Sequence, residues 1–179
     1  VERGVRQCVL QGVLGRNGRA VPNKLAQMRL HELCKARAVP VYDMTLEKIA
    51  EAAKKVDAKM VYISTDYVFD GQGQTPWKPD CKEYAPLNVY GETKLAGELA
   101  VAEFASRFFI VRIAWVFGLN GNNFIKTMLK VGKTHDTLTV VDDQIGTPTY
   151  TYDLARLLVD MIQTDKYGYY HATNEGICN

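Results

Sequence analysis

From residue 45 to the end of the chain, segments with the hydrophobic spacing of a helix alternate with segments that have the pattern of a strand. Apolar side chains at positions 46, 49, 50, 53 and 56 predict a helix with one charged face. The short apolar run at 59–64 that follows is typical of a buried parallel strand. The same rules predict a loop at 70–87, helices at 88–106, 124–133 and 152–164, and strands at 108–113, 137–141 and 167–171.

This regular alternation of helices and strands predicts an α/β fold. Apolar strands separated by helices form βαβ units, and such units need a parallel sheet with helices on both faces. Sheets of this kind bind ligands just beyond the carboxyl ends of their strands. The residues that follow Ile63 and Ile113 are therefore the first places to look for a functional site.

Residues 1–44 are less regular, and we treat them as an N-terminal segment distinct from the domain at 45–179. This segment holds eight Lys/Arg against three Asp/Glu, so it is far more basic than the remainder. The excess of positive charge indicates either an arm that binds anions or incomplete or foreign sequence. The composition of the segment does not decide between these two interpretations.

A glycine pattern in the same segment suggests a phosphate-binding loop. Residues 5–11 are compatible with a strand, and glycines follow it at positions 12, 15 and 18. Such a spacing between a strand and a helix lets the backbone approach a dinucleotide pyrophosphate. Pro22 falls where the next helix should continue, however, so an incidental spacing is favoured over a phosphate loop.

Composition excludes several classes of protein. The 179 residues carry a net charge of +2, which argues against nucleic-acid binding. No run of roughly 18 apolar residues is present, so no membrane span is expected. The four cysteines are widely separated and form no C-x-x-C pair, which favours free thiols over a disulfide or metal framework. We therefore expect a cytoplasmic protein without a metal site.

The run at 88–98 carries the strongest candidate chemistry. Tyr90 and Lys94 are four residues apart, so on a helix they share one face. A phenol is a poor proton donor at neutral pH, whereas a fixed ammonium close to a phenol favours the phenolate form. Pairs at this spacing also arise by chance in a chain with ten tyrosines, so the spacing alone does not establish a site.

Two hydroxyl residues strengthen this candidate. Ser64 and Thr65 come directly after the apolar strand, where a hydroxyl would point into the ligand crevice. A hydroxyl both donates and accepts, so Thr65 can hold a substrate carbonyl oxygen beside the Tyr90 phenol. A turn-capping role for Thr65 is the alternative. We favour catalysis because Tyr90 and Lys94 follow across a loop into a helix.

Four motifs resemble those of the dTDP-4-dehydrorhamnose reductase family, within the extended short-chain dehydrogenase/reductase superfamily. They are ISTDYVFDG at 63–71, NVYGETKLAGE at 88–98, RIAWVFG at 112–118 and VDDQIGTPT at 141–149. The resemblance implies a Rossmann-type fold, incomplete relative to the full family fold. It also implies NAD(P)H-dependent reduction of the 4-keto group of dTDP-4-dehydrorhamnose to dTDP-L-rhamnose.

The resemblance assigns roles residue by residue. Thr65 would orient the keto oxygen, Tyr90 would deliver the proton, and Lys94 would bind the nicotinamide ribose. Ser64 would join these three in binding the cofactor, which is NADPH or NADH.

The resemblance also implies contacts with the dTDP-sugar substrate. Tyr67, Val68 and Trp115 match positions that contact the deoxysugar nucleotide in the family. For Asn122, Asn123, Asp143 and Gln144, a role in lining the pocket and a role in capping loops are equally compatible with the sequence. A core position remains the alternative for Trp115.

The chain departs from the family at both ends. Gly12 and Ser64 are only about 50 residues apart, too few for the further βα units of the full family fold. The part of the sugar-binding lobe that follows Glu175 is also largely missing. A non-catalytic fragment or regulatory subunit is therefore kept as an alternative. A sibling sugar-nucleotide epimerase or dehydratase, which would use the same Tyr/Lys pair, is a second alternative. Assembly into a homodimer is left open.

Overall fold

The computed structural model describes the backbone of residues 9–10 and the whole of residues 45–179. Its helices are α1 (Leu46–Lys55), α2 (Val89–Phe104), α3 (Phe124–Val131) and α4 (Thr151–Ile162), with a 3₁₀ helix, η1, at Asp66–Val68. Its strands are β1 (Val9–Leu10), β2 (Met60–Thr65), β3 (Phe108–Ile113), β4 (Val116–Phe117), β5 (Thr149–Tyr150) and β6 (Gly168–His171). The predicted α/β class is confirmed.

Four parallel strands form the main sheet, in the order β1, β2, β3, β6. Strands β2 and β3 pair along their whole length, and Thr65 lies opposite Ile113 at the end. Strand β6 continues this register, with His171 opposite Arg112. Three neighbouring strands therefore end at the same edge of the sheet, where parallel sheets bind ligands.

Side chains that alternate along β2 and β3 fill two cores, one on each face of the sheet. Met60, Tyr62 and Ile110 pack with buried residues of α1 and α2. Val61 and Phe109 point the other way and pack with side chains of α4. Successive side chains of a strand face opposite ways, so an apolar strand can serve both cores. Helices therefore cover both faces of the sheet, as the βαβ pattern predicts.

Most predicted elements occur within a few residues of their predicted bounds. The helix at 46–56, the strand at 108–113 and the helix that Asn88 caps are all present. Of the predicted strand at 5–11, Val9–Leu10 is described and pairs in parallel with Met60–Val61. The three glycines at 12, 15 and 18 lie outside the described residues.

The predicted strand at 137–141 is wrong. These five residues are exposed and belong to none of the strands in the described part of the chain. A two-residue strand begins instead at Thr149 and pairs in parallel with Val116–Phe117. β-branched residues favour a strand only where a partner strand and an apolar surface are available to pack against. Residues 137–141 are exposed and pair with none of the described strands, so their β-branched composition does not produce a strand.

Candidate active site

Strand β2 carries two hydroxyl side chains to the carboxyl edge of the sheet. Thr65 is its last residue, and the Thr65 hydroxyl accepts the Tyr67 N–H at 3.3 Å and donates to an Asp66 carboxylate oxygen at 2.9 Å. Ser64 is buried, and its Oγ has no hydrogen-bond partner among the residues that the structure describes. Buried hydroxyls are normally paired, so an unpaired one indicates a place where a ligand or water is expected.

The first turn of helix α2 lies directly on η1. Asn88 caps the helix, because its side-chain oxygen accepts the Gly91 N–H at 2.8 Å. A Cβ atom at position 91 would lie 2.3 Å from the carbonyl oxygen of Tyr67, so only glycine allows this approach. As a result, the Tyr90 ring meets the Tyr67 ring edge-on, with 6.0 Å between centroids. The Tyr90 side chain is 52% exposed.

Lys94 points from the next turn of α2 toward the end of β2. Its Nζ donates to the Ile63 carbonyl at 2.8 Å, one residue before Ser64. Burial lowers the pKa of the Lys94 amine from its ordinary value of 10.5, and the negative charge of Glu98 opposes this shift. The amine is thus held at the same edge as the two hydroxyls.

The three side chains predicted to be catalytic therefore share one edge of the sheet. Thr65 ends β2, Lys94 donates to the backbone carbonyl two residues earlier in that strand, and Tyr90 contacts the 3₁₀ helix that follows it. Thr65 and Lys94 are held by hydrogen bonds to backbone groups, while the Tyr90 phenol is accessible to solvent. This arrangement combines a proton donor, a cation and a hydroxyl, which is a set suited to general acid–base chemistry.

The residues predicted to bind substrate fall into two groups. Tyr67 and Trp115 are 50% and 37% exposed, so their rings are available to a ligand. Val68 is 0% exposed, and its carbonyl accepts the Ala85 N–H, so its side chain offers no surface for binding. Val68 packs under the loop instead, because an apolar side chain in a 3₁₀ turn lowers its free energy by leaving water.

The backbone of Trp115 is strained, and its ring is held by a glycine. Its φ angle of 45° is unusual for a residue with a side chain. A Cβ atom at Gly146 would lie 2.9 Å from the indole, so the ring packs against the bare backbone at that position. Thr149 fixes the same region, since its hydroxyl donates to the Ala114 carbonyl at 2.6 Å. Two of the four motifs thus meet at Trp115.

A buried ion pair, which the motifs did not reveal, lies beneath the site. Arg112 Nη2 donates to Glu98 Oε2 at 2.7 Å and Arg112 Nε donates to Glu98 Oε1 at 2.9 Å, and both side chains are 0% exposed. Arg112 also donates to the Pro79 carbonyl and the Tyr84 hydroxyl, both at 3.3 Å. The pair therefore ties α2, β3 and the loop at 70–87 together. A charged residue inside an otherwise apolar strand is the sequence signal that could have indicated it.

Two further titratable groups, Asp66 and His171, lie at the carboxyl ends of β2 and β6. Burial raises the pKa of the Asp66 carboxyl, although the hydrogen bond from Thr65 opposes the shift. Burial and the nearby Arg112 charge lower the pKa of the His171 imidazole. His171 Nε2 has no partner among the described residues. Both shifts favour the uncharged form of the side chain at the carboxyl edge of the sheet.

The structure indicates a role for Asn123, one of the four polar residues for which the sequence left pocket lining and loop capping open. Asn123 caps α3, because its side chain accepts the Lys126 N–H at 3.0 Å and donates to the Gly118 carbonyl at 2.9 Å. Loop capping is therefore the role that its contacts support.

Within residues 45–179, no group of three or more His, Cys, Asp and Glu side chains is arranged to hold a metal ion. Over the same residues, each helix is too short or too polar for a membrane crossing.

Known proteins resemble this chain in both sequence and fold. dTDP-4-dehydrorhamnose reductase from Escherichia coli (strain K12) is 44% identical over 137 residues, which make up 74% of this chain and 46% of that protein. The protein of the same name from Shigella flexneri is 52% identical over 104 residues, or 58% of this chain and 34% of that protein. The chain thus spans less than half the length of these curated relatives.

A solved structure supports the same relationship. The crystal structure of dTDP-4-dehydrorhamnose reductase from Bacillus anthracis str. Ames, in complex with NADP, gives a TM-score of 0.71 at 46% identity. The similarity covers 75% of this chain and 48% of that one. It confirms the Rossmann-type fold and its partial extent relative to the family. The family model described as RmlD substrate binding domain matches residues 27–179, and the chain belongs to that family.

Proposed function

We propose that this chain carries out NAD(P)H-dependent reduction of the 4-keto group of dTDP-4-dehydrorhamnose, giving dTDP-L-rhamnose. The convergence of Thr65, Tyr90 and Lys94 at the carboxyl edge of the sheet is the observation that carries the proposal. Relatives named dTDP-4-dehydrorhamnose reductase support the substrate, and the relative in complex with NADP supports the cofactor class. Retention of all three side chains argues against a non-catalytic subunit.

Tyr90 is proposed as the proton donor. Reduction of a ketone to an alcohol needs a proton on the carbonyl oxygen, and a phenol can deliver one through a direct hydrogen bond. The Tyr90 ring is half-exposed at the first turn of α2, so a substrate oxygen can reach its hydroxyl. The edge-on contact with Tyr67 limits the directions in which the ring can turn.

Lys94 is proposed to stabilise the phenolate that remains after the proton has left. Lys94 follows Tyr90 by one helical turn on α2, and a nearby cation favours an anionic oxygen. An ammonium has three N–H donors, and the Ile63 carbonyl accepts one of them. The other donors are available for hydroxyl groups of a nicotinamide ribose.

Thr65 is proposed to hold the keto oxygen. Its hydroxyl donates to Asp66, so binding a carbonyl requires the O–H to rotate away from that carboxylate. The rotation moves the hydrogen atom alone, and the new hydrogen bond to the carbonyl oxygen replaces the one to Asp66. A second hydrogen bond to the carbonyl oxygen would favour the developing negative charge during reduction.

The residues at this edge fit a nicotinamide cofactor. Ser64 offers a buried hydroxyl without a partner among the described residues, and Lys94 offers an ammonium that binds the carbonyl of the preceding residue. The chemistry that a bound nicotinamide supplies is hydride donation to the carbonyl carbon. Tyr67 and Trp115, whose rings are exposed near the same edge, are proposed to contact the sugar nucleotide.

The proposal is tested by incubating the chain with dTDP-4-dehydrorhamnose and NADPH or NADH while following cofactor oxidation. We expect turnover by the wild-type chain and a loss of about 10²–10⁴-fold in Tyr90→Phe, because proton delivery contributes that much. Tyr152→Phe is the matched control, because Tyr152 is an exposed tyrosine on another helix. Turnover in Tyr90→Phe equal to that of the control would reject the assigned role.

A further inference from the structure

The amine of Lys94 is partly buried, so contacts that favour its ammonium form matter for its proposed role. Burial lowers its pKa, which means that the ammonium is less stable here than in water. A deprotonated lysine would neither stabilise a phenolate nor donate three hydrogen bonds. The groups that surround the amine therefore decide whether it can act at neutral pH and above.

Tyr62 contacts Lys94 in two ways. The Lys94 Nζ lies 5.0 Å from the centre of the Tyr62 ring, within the range of a cation–π interaction. The Tyr62 hydroxyl donates to the backbone carbonyl of Lys94 at 3.3 Å. The same tyrosine therefore contacts both the head of this lysine and the helical turn that carries it.

The Tyr62 ring is itself fixed in place. It is 3% exposed on strand β2, in the core between β2 and α2. A Cβ atom at Gly97 would lie 2.1 Å from the Tyr62 hydroxyl oxygen, so the helix backbone packs directly against the phenol. Burial and the charge of Glu98 raise the pKa of Tyr62 to about 12, so its hydroxyl remains a neutral donor.

Other charged groups face the same amine. Glu98 lies one turn further along α2 and favours the ammonium, but Arg112 from β3 neutralises much of its charge through two hydrogen bonds. Tyr90 lies one turn earlier on α2, and the Ile63 carbonyl of β2 accepts one N–H. Because Arg112 neutralises much of the Glu98 charge, the face of the Tyr62 ring becomes more important for keeping the Lys94 amine protonated.

We propose that Tyr62 is a positioning residue that holds the Lys94 ammonium through its ring face. The proposal rests on the proposed function, since it assigns Lys94 its catalytic charge. It goes beyond that function because it assigns a role to a buried strand residue outside the Thr65, Tyr90 and Lys94 set.

The test compares three substitutions of Tyr62 in the whole chain. Tyr62→Phe keeps the aromatic face and removes the hydroxyl. Tyr62→Leu removes both, and Tyr62→Met fills similar space without a ring should the leucine variant fail to fold. Lysine side chains labelled with ¹³C at Cε report the protonation of each amine by NMR, and Lys94→Arg identifies the Lys94 signal.

We expect Tyr62→Phe to titrate as the wild-type chain does. Tyr62→Leu or Tyr62→Met should lower the proton affinity of Lys94 about two- to fivefold, which equals a cation–π contact of about 0.5–1 kcal/mol. In the reductase assay, activity should fall at high pH once Lys94 loses its proton. Tyr62→Leu and Tyr62→Met should shift this fall to lower pH, while Tyr62→Phe keeps the wild-type pH profile.

The outcomes separate the two proposals. An unchanged Lys94 titration in folded Tyr62→Leu or Tyr62→Met would overturn the role of Tyr62, because a merely structural core residue would alter stability alone. A Lys94 titration that responds as expected in a chain without turnover would support the Tyr62 contact and count against the proposed function.

Discussion

The two sides of the candidate site are built in different ways. The packed side consists of α2 where it meets β2 and β3, and it includes Tyr62, Gly91, Glu98 and Arg112. The open side consists of residues 115–146, which include Trp115 and α3. On the packed side, Tyr62, Glu98 and Arg112 are at most 3% exposed. On the open side, α3 has no buried residue.

Large apolar side chains make the contrast sharper. Leu119, Phe124 and Ile145 on the open side are 80%, 62% and 79% exposed. Trp115 rests on Gly146, and Thr149 joins β5 to the end of β3. Hydrogen bonds, the short pairing of β4 with β5 and ring contacts such as that of Phe117 with Tyr150 therefore hold this side, whereas a core holds the other.

This difference matches the tasks proposed for each side. Proton transfer requires its groups within a few tenths of an ångström of the productive geometry, and packed helices and strands provide such precision. A surface that binds a sugar nucleotide can adjust to its ligand, and loops on a rigid scaffold commonly serve that purpose. Substitutions on the packed side should therefore have larger effects than those on the open side.

The largest expected effect on stability comes from the buried ion pair. Glu98→Gln leaves the Arg112 charge buried without a counter-charge, which should cost about 3–5 kcal/mol of unfolding free energy. Urea denaturation of the whole chain measures this change. Glu103→Gln is the matched control, since Glu103 lies on the same helix with its side chain exposed, and its effect should stay within about 0.5 kcal/mol.

A double variant tests the cause of that loss. Glu98→Leu combined with Arg112→Met removes both charges and keeps apolar volume, so it should be more stable than Glu98→Gln. A double variant as unstable as the single one would show that packing, rather than the unpaired charge, accounts for the effect. The packed side would then be stabilised by the fit of its side chains and not by the pairing of the two charges.

A smaller effect is expected where helix α2 meets η1. In Gly91→Ala the added methyl group would overlap the Tyr67 carbonyl, so the first turn of α2 must move. We expect a loss of about 1–3 kcal/mol of unfolding free energy and a clear fall in kcat, because Tyr90 shifts with that turn. Ala96→Gly, at an exposed position of the same helix, should cost about 1 kcal/mol and leave kcat unchanged. Equal kcat values in the two variants would contradict the proposed link between Gly91 and Tyr90.

The smallest effect is expected on the open side. In Gly146→Ala the new methyl group meets the Trp115 ring, which is partly exposed and can turn away. We expect a change in unfolding free energy below about 1 kcal/mol. Steady-state kinetics should show a higher KM for the sugar nucleotide with little change in kcat. A fall in kcat as large as that of Gly91→Ala would remove the distinction between the two sides.

The sequence predicted the packed side better than the open side. The helix at Leu46–Lys55 and the strand at Phe108–Ile113 follow from local spacing and buried apolar runs, which the sheet then uses on both faces. The strand expected at 137–141 fails because no strand in the described part of the chain pairs with it, and pairing depends on distant parts of the chain. Strands β4 and β5, two residues each, are too short to give a periodic signal.

The same limit applies to the site. The motifs identified Thr65, Tyr90 and Lys94, and the structure places them at one edge of the sheet. The spacing did not reveal the Glu98–Arg112 pair or the contact of Tyr62 with Lys94, because both join α2 to strands that are distant in sequence. Val68 was assigned to substrate by its motif, but its burial depends on the loop that packs over it.

The most direct measurement of the central claim follows the hydrogen that reaches the sugar. The chain is incubated with dTDP-4-dehydrorhamnose and a reduced nicotinamide cofactor deuterated at both transferable positions, and the sugar nucleotide is analysed by mass spectrometry. The account predicts one deuterium in the wild-type product and almost none, over the same time, with Tyr90→Phe. Equal deuterium incorporation by the two proteins, or cofactor oxidation that leaves the sugar unlabelled, would contradict it.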